Sequence, residues 1–561
     1  MDFKQYMTAV EKQLDSMTGQ QMKSWILTQA RIVDEGQRQD FLNNLSGKKP
    51  EILSLNAGEI HAWCEQVESG TLYFETEQEE YYEEGDWDSD WRTIYYDAFD
   101  IIPYLTKAFE TCQKLVLVGE YETAYALLDR LCRIEFYTDF EEEDWLGDEE
   151  PLTLEKLAEE GMLTIDFAKL SQNLLYACYQ STNGEERLRK LYEYLIWKMC
   201  GGVKMTDVFA FGPEPLPGTA EFMENWHVYL SHTPGDRAAE LLADACIYLG
   251  GEEKLRKTAA ETVDMHPCLY IIYCQRRMET EDWRDCVSVG QTAVETIHVN
   301  KEIRGKVAEI AFRAAEHLND YDRMKLFGKA IFFSKPDCAG LLRLYRLGDI
   351  KLIEDARKRL EEITAKPFMG NRGYFNREQR ETNIPDQKQK AVYRFMLGDF
   401  EYGWEISRTD DKYLGWSSSF KELFVMLVLV LLKKPDGNMA RADEKILGTL
   451  QYRLRFDDCC GCSFETALLA WRNGYLLSEK QKENCLNWLR REIDKRTAAV
   501  VGGGYRNSYH KAAELIVALG EILEENGEPG AMRKLVDHYK QMHSRKRAFR
   551  AEIDELSKRV R

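Results

Sequence analysis

The chain has 561 residues, 44% of them hydrophobic and 30% charged, enough apolar mass for sizeable cores and too much for wholesale disorder. Its 13 prolines and 37 glycines leave little punctuation for an all-β chain, and the composition excludes collagen, a disulfide miniprotein and a long low-complexity tail. Acidic residues outnumber basic ones by 96 to 75, and residues 51–150 alone hold 28 Asp and Glu against 5 Lys and Arg, so the other 461 residues net +2. One acidic region on a nearly neutral body opposes general phosphate-backbone binding and favours a basic protein partner.

At a rough 100–200 residues per domain, this length fits about three to five domains or one elongated repeat array. Helical spacing begins at once: Phe3, Tyr6, Met7, Val10 and Leu14 recur at steps of three or four, the stripe of an amphipathic helix. Trp25, Ile26, Ile32 and Val33 mark a second helix, and Phe41, Leu42 and Leu45 a third, within an N-terminal helical region at 1–65. Residues 66–100 differ, with Glu and Asp interleaved among Tyr73, Phe74, Tyr81, Tyr82, Trp87 and Trp91. Helix returns near Pro103 and opens a first helical-repeat block at 101–211. Gly212-Pro213-Glu214-Pro215-Leu216-Pro217-Gly218 is the best candidate break, because each proline disfavours helix at the residue before it. A second block follows at 219–561, interrupted by a loop near 366–386 and ending in a basic helix.

Within these blocks one signature recurs: an apolar helix end, a small polar turn, then a new stripe. The clearest copy is Leu117-Val118-Gly119-Glu120-Tyr121 running into Ala124 and Leu127, where Gly119 suits a left-handed helix end and Ala124 allows close packing. Weaker copies lie at Gly250-Gly251-Glu252, Asp282-Trp283, Asp320-Tyr321, Gly348-Asp349-Ile350 and Gly398-Asp399-Phe400. Their spacings of 31, 38, 29 and 50 residues between positions 252, 283, 321, 350 and 400 are too irregular for a regular tetratricopeptide array. They suit an all-α, irregular helix-hairpin solenoid of TPR/HEAT type carrying an acidic aromatic insertion.

The Leu-x-x-x-Gly-x-Tyr-x-x-Ala turn at 115–124 resembles tetratricopeptide-type repeats. The layout over 95–561 is similar to the helical region that follows the finger in bacterial SWIM zinc-finger proteins. The resemblance rests on Tyr96–Ile101, on Leu115–Leu128 and on the ending Tyr505–Leu515, Tyr539-Lys540 and Arg545–Phe549. The finger itself, a Cys-x-Cys pair followed by Cys-x-His, does not occur here. The resemblance therefore implies a helical interaction scaffold and carries over no finger-borne nucleic-acid role.

The N-terminus, Met1-Asp2-Phe3-Lys4, lacks the apolar core of a signal peptide. The longest apolar run, Leu423–Leu432, is ten residues, too short for a bilayer and suited to a buried helix. Cys112, Cys132, Cys178, Cys200 and Cys246 read as small core hydrophobes kept reduced. A cytoplasmic protein without membrane contact is expected.

Chemistry-bearing constellations are sparse. Cys459, Cys460 and Cys462 lack the second pair that a tetrahedral zinc site needs and read as buried or helix-start cysteines. Asp86, Asp88 and Asp90 have the spacing of a calcium loop, but Trp91 stands where the turn needs glycine. Val501–Tyr505 reads as an inter-helix turn rather than a phosphate loop, since Lys and Ser/Thr do not follow it. No metal, cofactor or catalytic set is expected. Two acidic stretches, 75–91 and 139–150, form the candidate partner surface: Glu79, Glu80, Glu83, Glu84, Asp86, Trp87, Asp88, Asp90 and Trp91, with Glu141, Glu142, Glu143, Asp144 and Trp145. Arg372, Arg377 and Arg380 beside Phe368, Tyr374 and Phe375, and separately Arg545, Lys546, Arg547 and Arg550, could contact nucleic acid. The bland counterpart is basic residues complementing a helix C-terminus.

The leading expectation is a non-catalytic scaffold that binds another, basic protein and does not itself hold nucleic acid. The alternatives are an accessory protein of a nucleic-acid-processing system and a hydrolase whose site carries no recognisable motif.

Overall fold

The recurring Gly-Asp turns are helix boundaries. In the computed structural model, which describes residues 3–33, 38–45, 55–81, 90–139, 152–365, 385–409, 412–416, 419–434, 440–456 and 463–558, the helix Ile101–Leu117 closes at Val118 and Gly119 takes φ +83°. The amides of Gly119 and Glu120 turn back to the carbonyls of Val116 and Leu115 at 3.3 and 3.0 Å, and the next helix runs Tyr121–Cys132. A left-handed residue thus satisfies carbonyls that the helix end would leave unpaired.

Four later copies add an aspartate cap. Asp282, Asp320, Asp349 and Asp399 accept from the amides of Asp285, Arg323, Lys351 and Tyr402 at 3.0–3.2 Å. Each follows a residue with positive φ: Glu281, Asn319, Gly348 and Gly398. One residue ends a helix and the next starts another, so a two-residue signature encodes a hairpin. At the remaining copy, Gly250 and Gly251 leave helical geometry and kink the segment Asp236–Glu261.

Helix accounts for 74% of the described residues, and the fold is all-α and helical-repeat-like. The chain divides into two compact units, Met1–Leu255 and Arg256–Arg561.

In the first unit, three N-terminal helices, Phe3–Asp15, Gly19–Ile32 and Arg38–Leu45, leave Trp25, Leu27 and Leu42 exposed. The helix Ala57–Glu68 buries Ile60, Trp63 and Val67, and Trp63 stacks on Tyr104 with centroids 4.8 Å apart. The acidic aromatic segment, which carries no helical stripe, forms strands β1 (Tyr73–Tyr81) and β2 (Asp90–Tyr96). They pair antiparallel, Glu75 opposite Tyr96 and Glu79 opposite Arg92, and β1 pairs parallel with the short β3 (Tyr137–Thr138) on its other side. Phe74 anchors the sheet, fully buried edge-on against Phe136 at 5.6 Å.

Phe167–Ser181 is the central helix of this unit, with Leu174, Leu175, Tyr176, Ala177 and Cys178 inaccessible to solvent. It holds down the Pro-rich segment: the Tyr176 and Tyr179 hydroxyls donate to the carbonyls of Glu214 and Pro217 at 2.8 and 2.9 Å. That segment therefore lies inside the first unit, and the division of the chain comes later, between Leu255 and Arg256.

The second unit opens with successive helices, Leu269–Glu279, Trp283–Thr296, Glu302–Leu318, Tyr321–Ser334 and Cys338–Arg346; the first four pack mainly on helices near them in sequence, and Cys338–Arg346 packs most on the distant helix Phe464–Gly474. Gly290 permits the closest approach, since a Cβ there would lie 2.3 Å from that of Ala311. The apolar run forms the helix Phe420–Leu432, which is buried nearly all round as its composition implies. Its Phe424 meets Phe395 at 4.8 Å and Trp488 at 5.6 Å. The glycines after Val501 close a π-type turn and lead through Arg506–Ser508 into the helix Tyr509–Glu525. Among the described residues no helix is long and apolar enough to cross a membrane. Cys112, Cys178, Cys200 and Cys246 are buried thiols and Cys132 is half-buried. Burial pushes Cys112 and Cys178 up to about 12.

Candidate functional site

The acidic hairpin places Glu75, Glu77 and Glu79 on one exposed face of β1, because side chains on a strand alternate between faces. Two of the three are engaged by the neighbouring strand. Arg92 forms an ion pair with Glu79. The Tyr96 hydroxyl donates to Glu77 Oε2 at 2.9 Å, and that bond to a carboxylate raises the phenol above its usual range. On the other side of β1, Asp139 Oδ1 accepts from both the amide and the hydroxyl of Thr76 at 2.8 Å. Glu80 and Asp90 pair as strand backbone with Trp91 and Tyr81. Glu83, Glu84, Asp86, Trp87 and Asp88, and the run Glu141, Glu142, Glu143, Asp144 and Trp145, lie outside the described residues. So do Cys459, Cys460 and Cys462 and the basic loop with Arg372, Arg377 and Arg380.

The C-terminal basic residues sit differently from a helix C-terminus. The helix Ala531–Met542 ends before them, and Lys546 stands at the residue preceding the last helix, Arg547–Leu556, without a side-chain capping bond. Arg545, Arg547 and Arg550 are exposed, and none of the four forms an ion pair among the described residues. Their charge adds to the positive end of that helix instead of offsetting a negative one. The turn at His543 and Ser544 is what separates them from the preceding helix. Only Lys540, in that helix's last turn, fits the dipole argument, and it pairs with Asp554.

A concavity of the first unit lies along the central helix. Two cavities of about 520 and 180 Å³ share Gln113, Lys169 and Asn173 in their walls. Gln113 comes from the helix Ile101–Leu117, and Lys169, Gln172 and Asn173 from Phe167–Ser181. Asp207 comes from the short helix Met205–Ala210. Phe109, Val116, Leu163 and Phe211 supply apolar wall.

Asn173 is only 5% exposed. Its Nδ2 donates to the Lys169 carbonyl at 2.9 Å, while Oδ1 is buried without a partner. A buried carbonyl oxygen left unmet costs about 1–3 kcal/mol, so the groove wall holds an enclosed acceptor that a small shift of the side chain would open to a donor. Its charged rim is Glu110, Asp166 and Asp207 against the single Lys169. The signal for this site is quiet: Asn173 closes the polar triplet Ser171-Gln172-Asn173, directly before the apolar run Leu174–Tyr179.

A scan against protein-family models finds no match to this chain, and a search of curated proteins finds none either.

Proposed function

We propose that the chain is a non-catalytic, cytoplasmic scaffold that seats an extended, basic segment of another protein in the groove of its first unit. The observation that carries this reading is an open groove walled by Asn173, whose enclosed carbonyl oxygen has no partner. Gln113 and Gln172 flank it, and amide side chains can both donate to and accept from a peptide backbone. The acidic rim and the acidic sequence around it favour a cationic segment and speed its approach. The similarity of the layout to the post-finger helical region of SWIM proteins points the same way.

The test begins with a pull-down from the native host with and without nuclease. Protein partners that survive nuclease support the scaffold. Affinity for the partner should fall several-fold from low to high salt, because screening at about 0.15 M shortens the field to roughly 8 Å. Asn173→Leu should weaken the complex while leaving the chain at least as stable, since it removes an unpaired polar group. A partner whose affinity responds to neither salt nor this substitution refutes the groove.

A second reading has its own observation. Arg545, Lys546, Arg547 and Arg550 gather at the positive end of the last helix, an arrangement that suits phosphate and an accessory role on nucleic acid. Partners lost on nuclease treatment, and a steep salt dependence abolished by replacing these four residues, would favour it.

A further inference from the structure

We propose that a cavity in the second unit, walled by Trp416, Glu422, Arg453, Arg496 and Glu514, binds a small organic monocarboxylate with an apolar body. The cavity measures about 270 Å³, just under the roughly 300–1,000 Å³ of pockets for drug-sized ligands. Four helices converge on it: Phe420–Leu432, Arg441–Leu454, Glu479–Thr497 and Tyr509–Glu525.

Two guanidinium groups define its polar end. Arg496 is 6% exposed, lies 4.8 Å over the Trp416 ring and donates to the Tyr413 carbonyl, which fixes its plane. Arg453 Nη2 stands 3.6 Å from Glu422 Oε2, beyond hydrogen-bond reach. Arg453 Nε and Nη2 and Glu422 Oε2 are all buried without hydrogen-bond partners. Buried charged groups are ordinarily paired and hydrogen-bonded; this guanidinium has only the long ion pair to Glu422 for those two enclosed nitrogens, and Arg453 itself lines the cavity. A planar two-donor fork matches a carboxylate.

The charge balance around the cavity is positive and suits an anion. Arg453, Arg496 and Lys511 line the wall, with Lys388 and Lys445 close enough to act on it. Against them stand Glu422, Glu514 and, from the last helix, Glu552. Burial pushes Glu514 up to about 7, so its negative charge is only partly present at neutral pH. Burial, and then Lys511, lower His510 from its ordinary value, which disfavours a positive charge on it. Val425, Met426, Ile446 and Leu515 complete an apolar wall for the body of the ligand. A wholly polar anion would leave this wall unused.

Calorimetric titration of the full chain with 3-phenylpropionate, its uncharged amide and inorganic phosphate tests the assignment. The carboxylate should bind saturably, with the amide and phosphate at least about tenfold weaker, as loss of a charge-assisted hydrogen bond requires. Its affinity should fall several-fold from pH 6 to pH 8 as Glu514 ionises, and Arg453→Met should weaken it at least about tenfold. Glu514→Gln, near-isosteric and neutral, should bind at pH 8 as the parent does at pH 6 and show a flat profile. If Arg453→Met fails to fold, the Glu514→Gln profile decides. Absence of saturable binding, equal binding of the amide, a preference for phosphate, or an unchanged pH profile in Glu514→Gln each overturns the proposal.

Discussion

Lys421 and Glu492 form a buried ion pair in the second unit, and removing one partner is the sharpest available probe of its packing. Lys421 Nζ lies 2.9 Å from Glu492 Oε2, with side chains 2% and 8% exposed. It is an ion pair by distance whose angles fall outside hydrogen-bond geometry. The ammonium also lies 5.2 Å from the Tyr413 ring and 5.9 Å from that of Trp416. At an effective dielectric of about 20, two unit charges at this separation attract by about 6 kcal/mol, and much of that offsets the desolvation of both groups. Lys421→Met therefore loses the attraction and leaves the desolvation of Glu492 in place. Among the described residues, Lys495, 3.7 Å from Oε1 and itself half exposed, remains as an ion-pair partner. The expected loss is about 3–5 kcal/mol.

For a unit of roughly 300 residues, an unfolding entropy of about 2.1 cal/mol/K per residue converts 4 kcal/mol to a fall of about 6 °C in Tm. Differential scanning calorimetry of the full chain reads this directly. Combining Lys421→Met with Glu492→Leu removes both charges and fills the space with apolar atoms, so the double variant should recover at least about 2 kcal/mol relative to the sum of the singles. A Tm within 1 °C of the parent for Lys421→Met, or strict additivity in the cycle, would refute the claim that these charges depend on each other.

Four further outcomes follow from the same structure. Glu514 in the folded chain holds its proton up to about pH 7, against an ordinary value of 4.5. Stability from this group therefore falls as pH rises through that window, and Glu514→Gln should gain up to about 3 kcal/mol at pH 8 and almost nothing at pH 4, measured by urea unfolding. Lys433 pairs with both Asp443 and Glu521, all three largely buried, so Lys433→Met should cost about 3–5 kcal/mol at pH 8. The loss should shrink at pH 5, because burial and then Asp443 push Glu521 up to about 7 and it is protonated there. Gly212→Ala, at φ +85° and with a Cβ 2.3 Å from the Tyr176 ring, should cost about 2–4 kcal/mol and unseat the Pro-rich segment, seen as faster amide exchange over 212–218. Far-UV circular dichroism should be helix-dominated, and a strand content above a fifth would contradict the fold.

Much of this architecture is local and was therefore legible in the sequence. A helix cap or a left-handed turn is decided within three to six residues, so Gly119, Asp282, Asp320, Asp349 and Asp399 announce helix boundaries before any packing is known. The run Leu423–Leu432 announces a buried helix because no exposed face could be built from it. The strands at 73–81 and 90–96 were hidden, since pairing between segments organises them and Phe74 alone marks the buried face of β1. The division at Leu255 was equally invisible, because the prolines that look like a break are held by two tyrosine hydroxyls contributed from an earlier helix. The basic cluster at the last helix changed meaning only when a turn at His543 put it at a helix start. The groove of the first unit and the cavity of the second lie furthest from the sequence. Asn173, Arg453 and Arg496 each read as one polar residue among many until helices distant along the chain enclose them. The unpaired atoms of Asn173 and Arg453 are a property of that enclosure, and no periodicity within a single helix encodes which distant faces will meet.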